Sequence, residues 1–130
     1  MTGTVAPGDA FFIAPSGSVG VSHLWVVLAV YTPDLSYEPY AAIVNITSMS
    51  KRADKTCLLT PGDGDAHPFV THESFAFYGG IMEVEVAALL SLDAQTRRAP
   101  VCDALLSRLR AGLHRSPHAR RGLRAVVPQK

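Results

Sequence analysis

Between Ala66 and Tyr78 the chain places His67, Thr71, His72, Glu73, Ser74 and Tyr78 within thirteen residues, the densest run of groups that can give, take or hold a proton. Two imidazoles that titrate near neutrality can divide general acid and general base work between them. A phosphodiester transesterification needs that division: one group removes the 2′-hydroxyl proton and the other protonates the leaving oxygen. His67 and His72 are candidates, and His23, at the head of an apolar segment, is the third. The bland reading of His23 is a satisfied structural histidine. His67 precedes Pro68, which forces an extended backbone and is expected to expose the imidazole near a loop mouth. His67 and His72 lie five residues apart, on opposite faces of any regular strand, and no Cys or acid completes a zinc pattern around them. Ser74 has no Gly-x-Ser-x-Gly around it, so a nucleophile elbow is excluded and its candidate role is support of the histidines.

These residues have to be delivered by the elements around them. The segment follows the turn-forming run Thr60-Pro61-Gly62-Asp63-Gly64-Asp65 and reaches Gly79-Gly80, so it reads as a strand entered from one loop and stopped by another. As a regular strand it puts His72, Ser74, Ala76 and Tyr78 on one face, toward solvent or a cleft, and Phe69, Phe75 and Phe77 toward a core. Glu73 would then sit on the apolar face, which predicts a turn or bulge around Thr71 to Glu73. The loop 61–65 lacks the lysine of a phosphate-binding loop, and its two acids, Asp63 and Asp65, fall short of a calcium loop. Thr47-Ser48, ending another strand, offers two hydroxyls as a phosphate cradle.

Upstream, Gly8 to Ala14 predicts a first strand, closed by a small polar loop over Pro15 to Gly20. His23 to Tyr31 is apolar on both faces and predicts a central buried strand. Ala41 to Thr47 and Thr56 to Thr60 predict a third and a fourth, and Ile81 to Val86 could finish the sheet. Val86 to Leu92 predicts a short helix. Pro100 suits a first helical position, with Cys102, Leu105, Leu106, Leu109 and Leu113 on one stripe. Ser116-Pro117 opens a last helix toward Val127. The expected core includes Phe11 or Phe12, Trp25, Val27, Ile43, Val44, Leu58 and Phe75.

At 130 residues the chain fits a single domain, 1–130, with a sheet portion at 1–82 and a helical portion at 83–130. No apolar run approaches the roughly 20 residues that cross a bilayer, and nothing at the N-terminus reads as a secretion signal. Cys57 and Cys102 read as buried thiols of a reducing cytoplasm. No motif implies a cofactor or a metal. After residue 96 nine basic residues face one acid, Asp103. Such an end binds phosphates, docks an acidic partner, or is the solvated face of helices.

Four segments together resemble the MazF/PemK/Kid toxins of bacterial toxin–antitoxin systems: Gly8-Asp9-x-Phe11-x-Ile13, the glycine-containing loop leading into His23-Leu24-Trp25-Val26-Val27-Leu28, Val44-Asn45-Ile46-Thr47-Ser48, and the helix from Pro100. The resemblance implies an α+β fold, a small antiparallel SH3-like β-barrel followed by two or three C-terminal helices. It implies a metal-independent endoribonuclease, cytoplasmic and homodimeric, neutralised by an acidic antitoxin. By the same resemblance Thr47 and Ser48 match hydroxyls of the RNA-binding face; Tyr78, on the strand face of His72, and Arg52 are further substrate-binding candidates. His72-x-Ser74 falls where the family often has Arg-x-Asp. The barrel portion has no arginine except Arg52, so either histidines replace the arginine or the barrel is an adaptor or antagonist that holds a protein or nucleic acid without catalysis.

Overall fold

The computed structural model describes residues 3–14 and 22–130; the loop expected over Pro15 to Gly20 lies outside the described residues. Six strands form one antiparallel sheet: β1 (Ala10–Ile13), β2 (His23–Tyr31), β3 (Tyr40–Ser48), β4 (Leu58–Leu59), β5 (Ser74–Glu85) and β6 (Arg97–Arg98). Their order is β4-β5-β3-β2-β1-β6, curled into a half-barrel with a few helices. Among the described residues no helix is long and apolar enough to cross a membrane.

The curl has a local cause in two irregularities. In β5 the four residues Tyr78 to Ile81 oppose a single residue of β3, Val44, so Gly79-Gly80 bends the strand instead of ending it. The Phe77 ring lies over Gly80, where a Cβ would come within 2.7 Å of ring carbons, so a larger residue there would displace the ring. In β2 the register shifts between Val27 and Ala29. Both irregularities turn a backbone carbonyl toward an arginine: Leu28 O accepts from Arg110 Nε at 2.9 Å and Ile81 O from Arg120 Nη1 at 2.9 Å. Part of the basic C-terminal quarter therefore works as internal hydrogen-bond donors, because buried carbonyls need partners.

Strand β2 is buried on both faces, as its sequence predicts. One face of the sheet carries Leu24, Val26, Val44, Ala76 and Tyr78 against helix α2 (Asp103–Arg115), whose Leu105, Leu109 and Leu113 are fully buried. The other carries Phe11, Trp25, Val27 and Ile43 against the short helix α1 (Val86–Leu90). Tyr78 fixes the position of α2: its hydroxyl donates to Leu109 O at 2.8 Å and sits where a Cβ on Gly112 would be only 2.1 Å away. At the end of α2 the buried Asp54 accepts hydrogen bonds from Ser116 and Thr56. Burial pushes that carboxyl up, but the hydrogen bonds from Ser116 and Thr56 outweigh it and hold it below the usual range.

Several boundaries differ from expectation. Helix α2 starts at Asp103, not Pro100: Cys102 is still extended, and the Val101 amide is bonded to Gly8 O at 2.9 Å. That leaves Cys102 exposed, while Cys57 is buried. The last helix shrinks to α3 (Leu123–Val126), since residues 117–122 form turns. Leu58 points outward and Leu59 takes its place in the core. Strand β6, unforeseen, pairs with β1.

Candidate functional site

At the end of the α2-facing side of the sheet, beyond the reach of the helix, lies an open cavity of about 150 Å³. Strand ends and one loop build its wall: Ser22, His23 and Leu24 from β2 and its approach, Ile46 and Ser48 from β3, Ser74 from β5, Phe12 from β1, and Phe69 to His72 from the loop before β5. Antiparallel register places Ser48 opposite Ser74, so their hydroxyls leave the sheet on one face. Phe12 and Phe69 pack with centroids 4.7 Å apart to form an aromatic side of the opening.

The loop from Thr60 to Glu73 is held at several points. Asp65 takes a two-pronged salt bridge from Arg108 of α2, at 2.6 and 3.0 Å, and this holds its carboxyl below the usual range. Val70 N donates to His67 O at 2.9 Å, closing a turn. Glu73 faces outward and accepts from Thr60 Oγ1 at 2.8 Å, which removes the cost of a carboxylate on the apolar face. Strand β5 begins only at Ser74, so residues 71–73 are irregular, as the misfit of Glu73 predicts.

Four of the eight residues singled out in the sequence line this cavity: Ser48, His72 and Ser74, and His23 at the start of β2, which alternates with the cavity-facing Leu24. His72 is exposed, with Nε2 2.6 Å from Ser48 Oγ and Nδ1 3.3 Å from Thr71 Oγ1. Ser74 Oγ donates to His72 O at 2.9 Å and so fixes the backbone that carries the imidazole. The other four lie elsewhere. His67 is 4% exposed, contrary to expectation: Nδ1 accepts from Phe69 N at 3.0 Å and Nε2 donates to Ala99 O. The proline fixes the backbone before it, but the turn closed by Val70 N folds the ring inward. Tyr78 is buried under α2, because the glycine bend carries β5 onward and leaves this position in the middle of the sheet. Thr47 alternates to the opposite face, where it donates to Asn45 Oδ1. Arg52 is exposed in the turn after β3 and does not line the cavity.

No carboxylate lines the cavity, and among the described residues no three of His, Cys, Asp and Glu gather as a metal site. Ser48 and His72 at 2.6 Å form the first half of a nucleophile–base pair, but the group behind the imidazole is the Thr71 hydroxyl and not an acid. The arrangement is better suited to proton transfer by the imidazoles themselves. Sequence reading missed Phe12, Phe69 and Thr71. Phe69 and Thr71 stood in the stretch singled out, whereas Phe12 reaches the cavity only through the β1–β2 pairing. In comparisons with known proteins, the chain matches no protein family model, no curated protein and no solved structure.

Proposed function

We propose that the chain is a metal-independent endoribonuclease of the toxin kind, using His72 and His23 as acid and base in this cavity, on a half-barrel of SH3-like plan. The observation that carries the reading is that His72, hydrogen-bonded to the Ser48 hydroxyl at 2.6 Å, lines a cavity whose wall also includes His23 from a distant part of the sequence. The cavity size supports a polymeric substrate. Pockets that enclose a whole small molecule run to roughly 300–1,000 Å³, whereas about 150 Å³ suits one group of a larger ligand, such as a single phosphodiester.

In this mechanism one imidazole removes the 2′-hydroxyl proton, O2′ attacks phosphorus, and the P–O5′ bond breaks as the other imidazole protonates the leaving O5′. The products are a 2′,3′-cyclic phosphate and a 5′-hydroxyl, with no net gain or loss of protons. Ser48 orients His72 and offers a hydroxyl to a phosphate oxygen. Arg52, Thr47, Tyr78 and His67 have no part in this version of the site. A cytoplasmic homodimer held in check by an acidic antitoxin completes the proposal. The C-terminal quarter keeps the positive charge such a partner needs, since hydrogen bonding to carbonyls does not neutralise an arginine.

Incubating purified protein with a mixed RNA pool, with and without EDTA, tests this directly: cleavage that EDTA leaves unchanged supports it, and intact RNA in both arms refutes it. One feature favours the second reading, a binding module. The β2–β3 connection presents Leu35 and Tyr37 fully exposed, with Leu35 at φ +65°, a strained conformation for a leucine. Intact RNA together with specific capture of a partner lost on Leu35→Ser or Tyr37→Ser would favour that alternative.

A further inference from the structure

The cavity is lined by histidine and hydroxyl residues, with the His72 imidazole bonded to Ser48, but no permanently charged group stands among the residues that line it. A phosphodiester entering it would arrive with a negative charge. Strand β6 supplies a candidate. Its two arginines leave the sheet on opposite faces, because Arg98 pairs with Ala10 and Arg97 with Phe11. Arg97 lies over Phe11 and is neutralised by Asp9. Arg98, on the cavity side, lies over the two aromatic residues of the opening, 5.1 Å from the Phe69 centroid and 5.7 Å from that of Phe12.

Among the described residues Arg98 has no carboxylate partner, and its hydrogen bonds, to Gln95 O and Arg97 O, both leave from Nη1. A guanidinium stacked on rings keeps its charge and presents its edge, with planar donors, to an oxyanion. The position is held from below, since His67 donates to Ala99 O, the next residue along, and also receives Phe69 N. His67 thus fixes Phe69 and Arg98 relative to each other.

We infer that Arg98 is a phosphate-binding residue of the cavity, placing its guanidinium edge on a non-bridging oxygen of a phosphate group seated between Phe69, His72 and Ser48. This rests on the proposed function for the identity of the natural ligand, a phosphodiester, and on the geometry alone for the site. Inorganic phosphate is a sufficient probe. Its titration into the whole protein, followed by the ring-proton NMR signals of His72 and His23, is expected to shift both. Arg98→Ala is expected to weaken that binding by about 10- to 100-fold, as loss of a charge-assisted hydrogen bond does. Arg98→Gln keeps a donor and most of the stem, so it guards against simple loosening of β6 and should weaken binding as well, while Arg98→Lys falls between it and the wild type. Arg121→Ala, an exposed charge on the turn before α3, should change nothing.

Phosphate that leaves the His72 signal unmoved in the wild type, or moves it equally in a folded Arg98→Ala, overturns the inference. The RNA assay separates the two claims. Phosphate binding that depends on Arg98 in a protein with no RNA cleavage upholds the site and removes the nuclease reading. RNA cleavage whose KM and kcat are the same in wild type and Arg98→Ala upholds the nuclease and removes the role of Arg98.

Discussion

His67 and His72 stand five residues apart in one loop and have opposite fates. His67 is buried, and each of its ring nitrogens has a backbone partner, so its protons are committed to holding the loop against Ala99. His72 is exposed and bonded only to side-chain hydroxyls, which can rotate to accept or donate. The same contrast runs through the α2-facing side of the sheet. Under the helix the polar groups Tyr78, Ser116 and Asp54 are closed on one another or on backbone; past its end Ser48 and His72 face a cavity, with Ser74 beside them closed on the His72 carbonyl. A polar group satisfied by the fold stabilises it, and one satisfied by something movable is left able to meet a ligand.

Removing His72 should give the largest effect and the cleanest separation of the two regions. His72→Ala is expected to lower RNA cleavage by roughly 100- to 10,000-fold, with little change in melting temperature because the ring is exposed. A parallel loss of stability and activity would show that the cavity is part of the structural core instead.

In the closed region the expected effects fall on folding. Gly112→Ala puts a Cβ 2.1 Å from the Tyr78 hydroxyl, a collision with a ring that has no room to retreat. Chemical denaturation should register a loss of about 3 kcal/mol, at the upper end for overpacking, and an unchanged midpoint would mean that α2 does not rest on Tyr78. His67→Ala strands the Phe69 amide and the Ala99 carbonyl and should cost about 1–3 kcal/mol, with cleavage reduced only in proportion to folded protein. A pure activity loss in a fully stable His67→Ala would erase the distinction between the two histidines.

A smaller and more gradual effect should appear in acid. Asp54 and Asp65 are both held below their ordinary value of 3.8, Asp54 by hydrogen bonds that outweigh its burial and Asp65 by Arg108. Their contribution is full above that unfolded-state value and is lost as the pH falls below it toward the depressed folded-state values. Melting temperature followed downward from pH 5 should therefore drop less steeply in Asp54→Asn and Asp65→Asn than in the wild type, and identical slopes would count against either carboxylate as an acid-sensitive latch.

What the sequence made legible was what periodicity records. The apolar run of β2 and the leucine stripe of α2 carry their own patterns, and both are present. Strand β6 is two residues long, too short for any period, and exists because Arg97 and Arg98 complete the ladder of β1. Pro100 suits a first helical position by type, but the chain stays extended through Cys102 and the helix begins three residues later, a choice that residue type alone does not record. Gly79-Gly80 reads as a stop by composition, but with Val44 opposite four residues it is a bend, and Tyr78 moved from cleft to core with it. Within the site, residue types were informative and partnership was not: Ser74 and His72 are neighbours in sequence, whereas His23 and Ser48 reach them only through strand pairing.

The account stands most directly on the claim that His23 and His72 share the proton transfers of one cleavage. The decisive measurement is the pH–rate profile of cleavage of a single RNA in EDTA by wild type, His23→Ala and His72→Ala. The account predicts a bell around neutrality for the wild type, with one limb lost in each mutant. A flat wild-type profile, or the same bell in all three proteins, would contradict it.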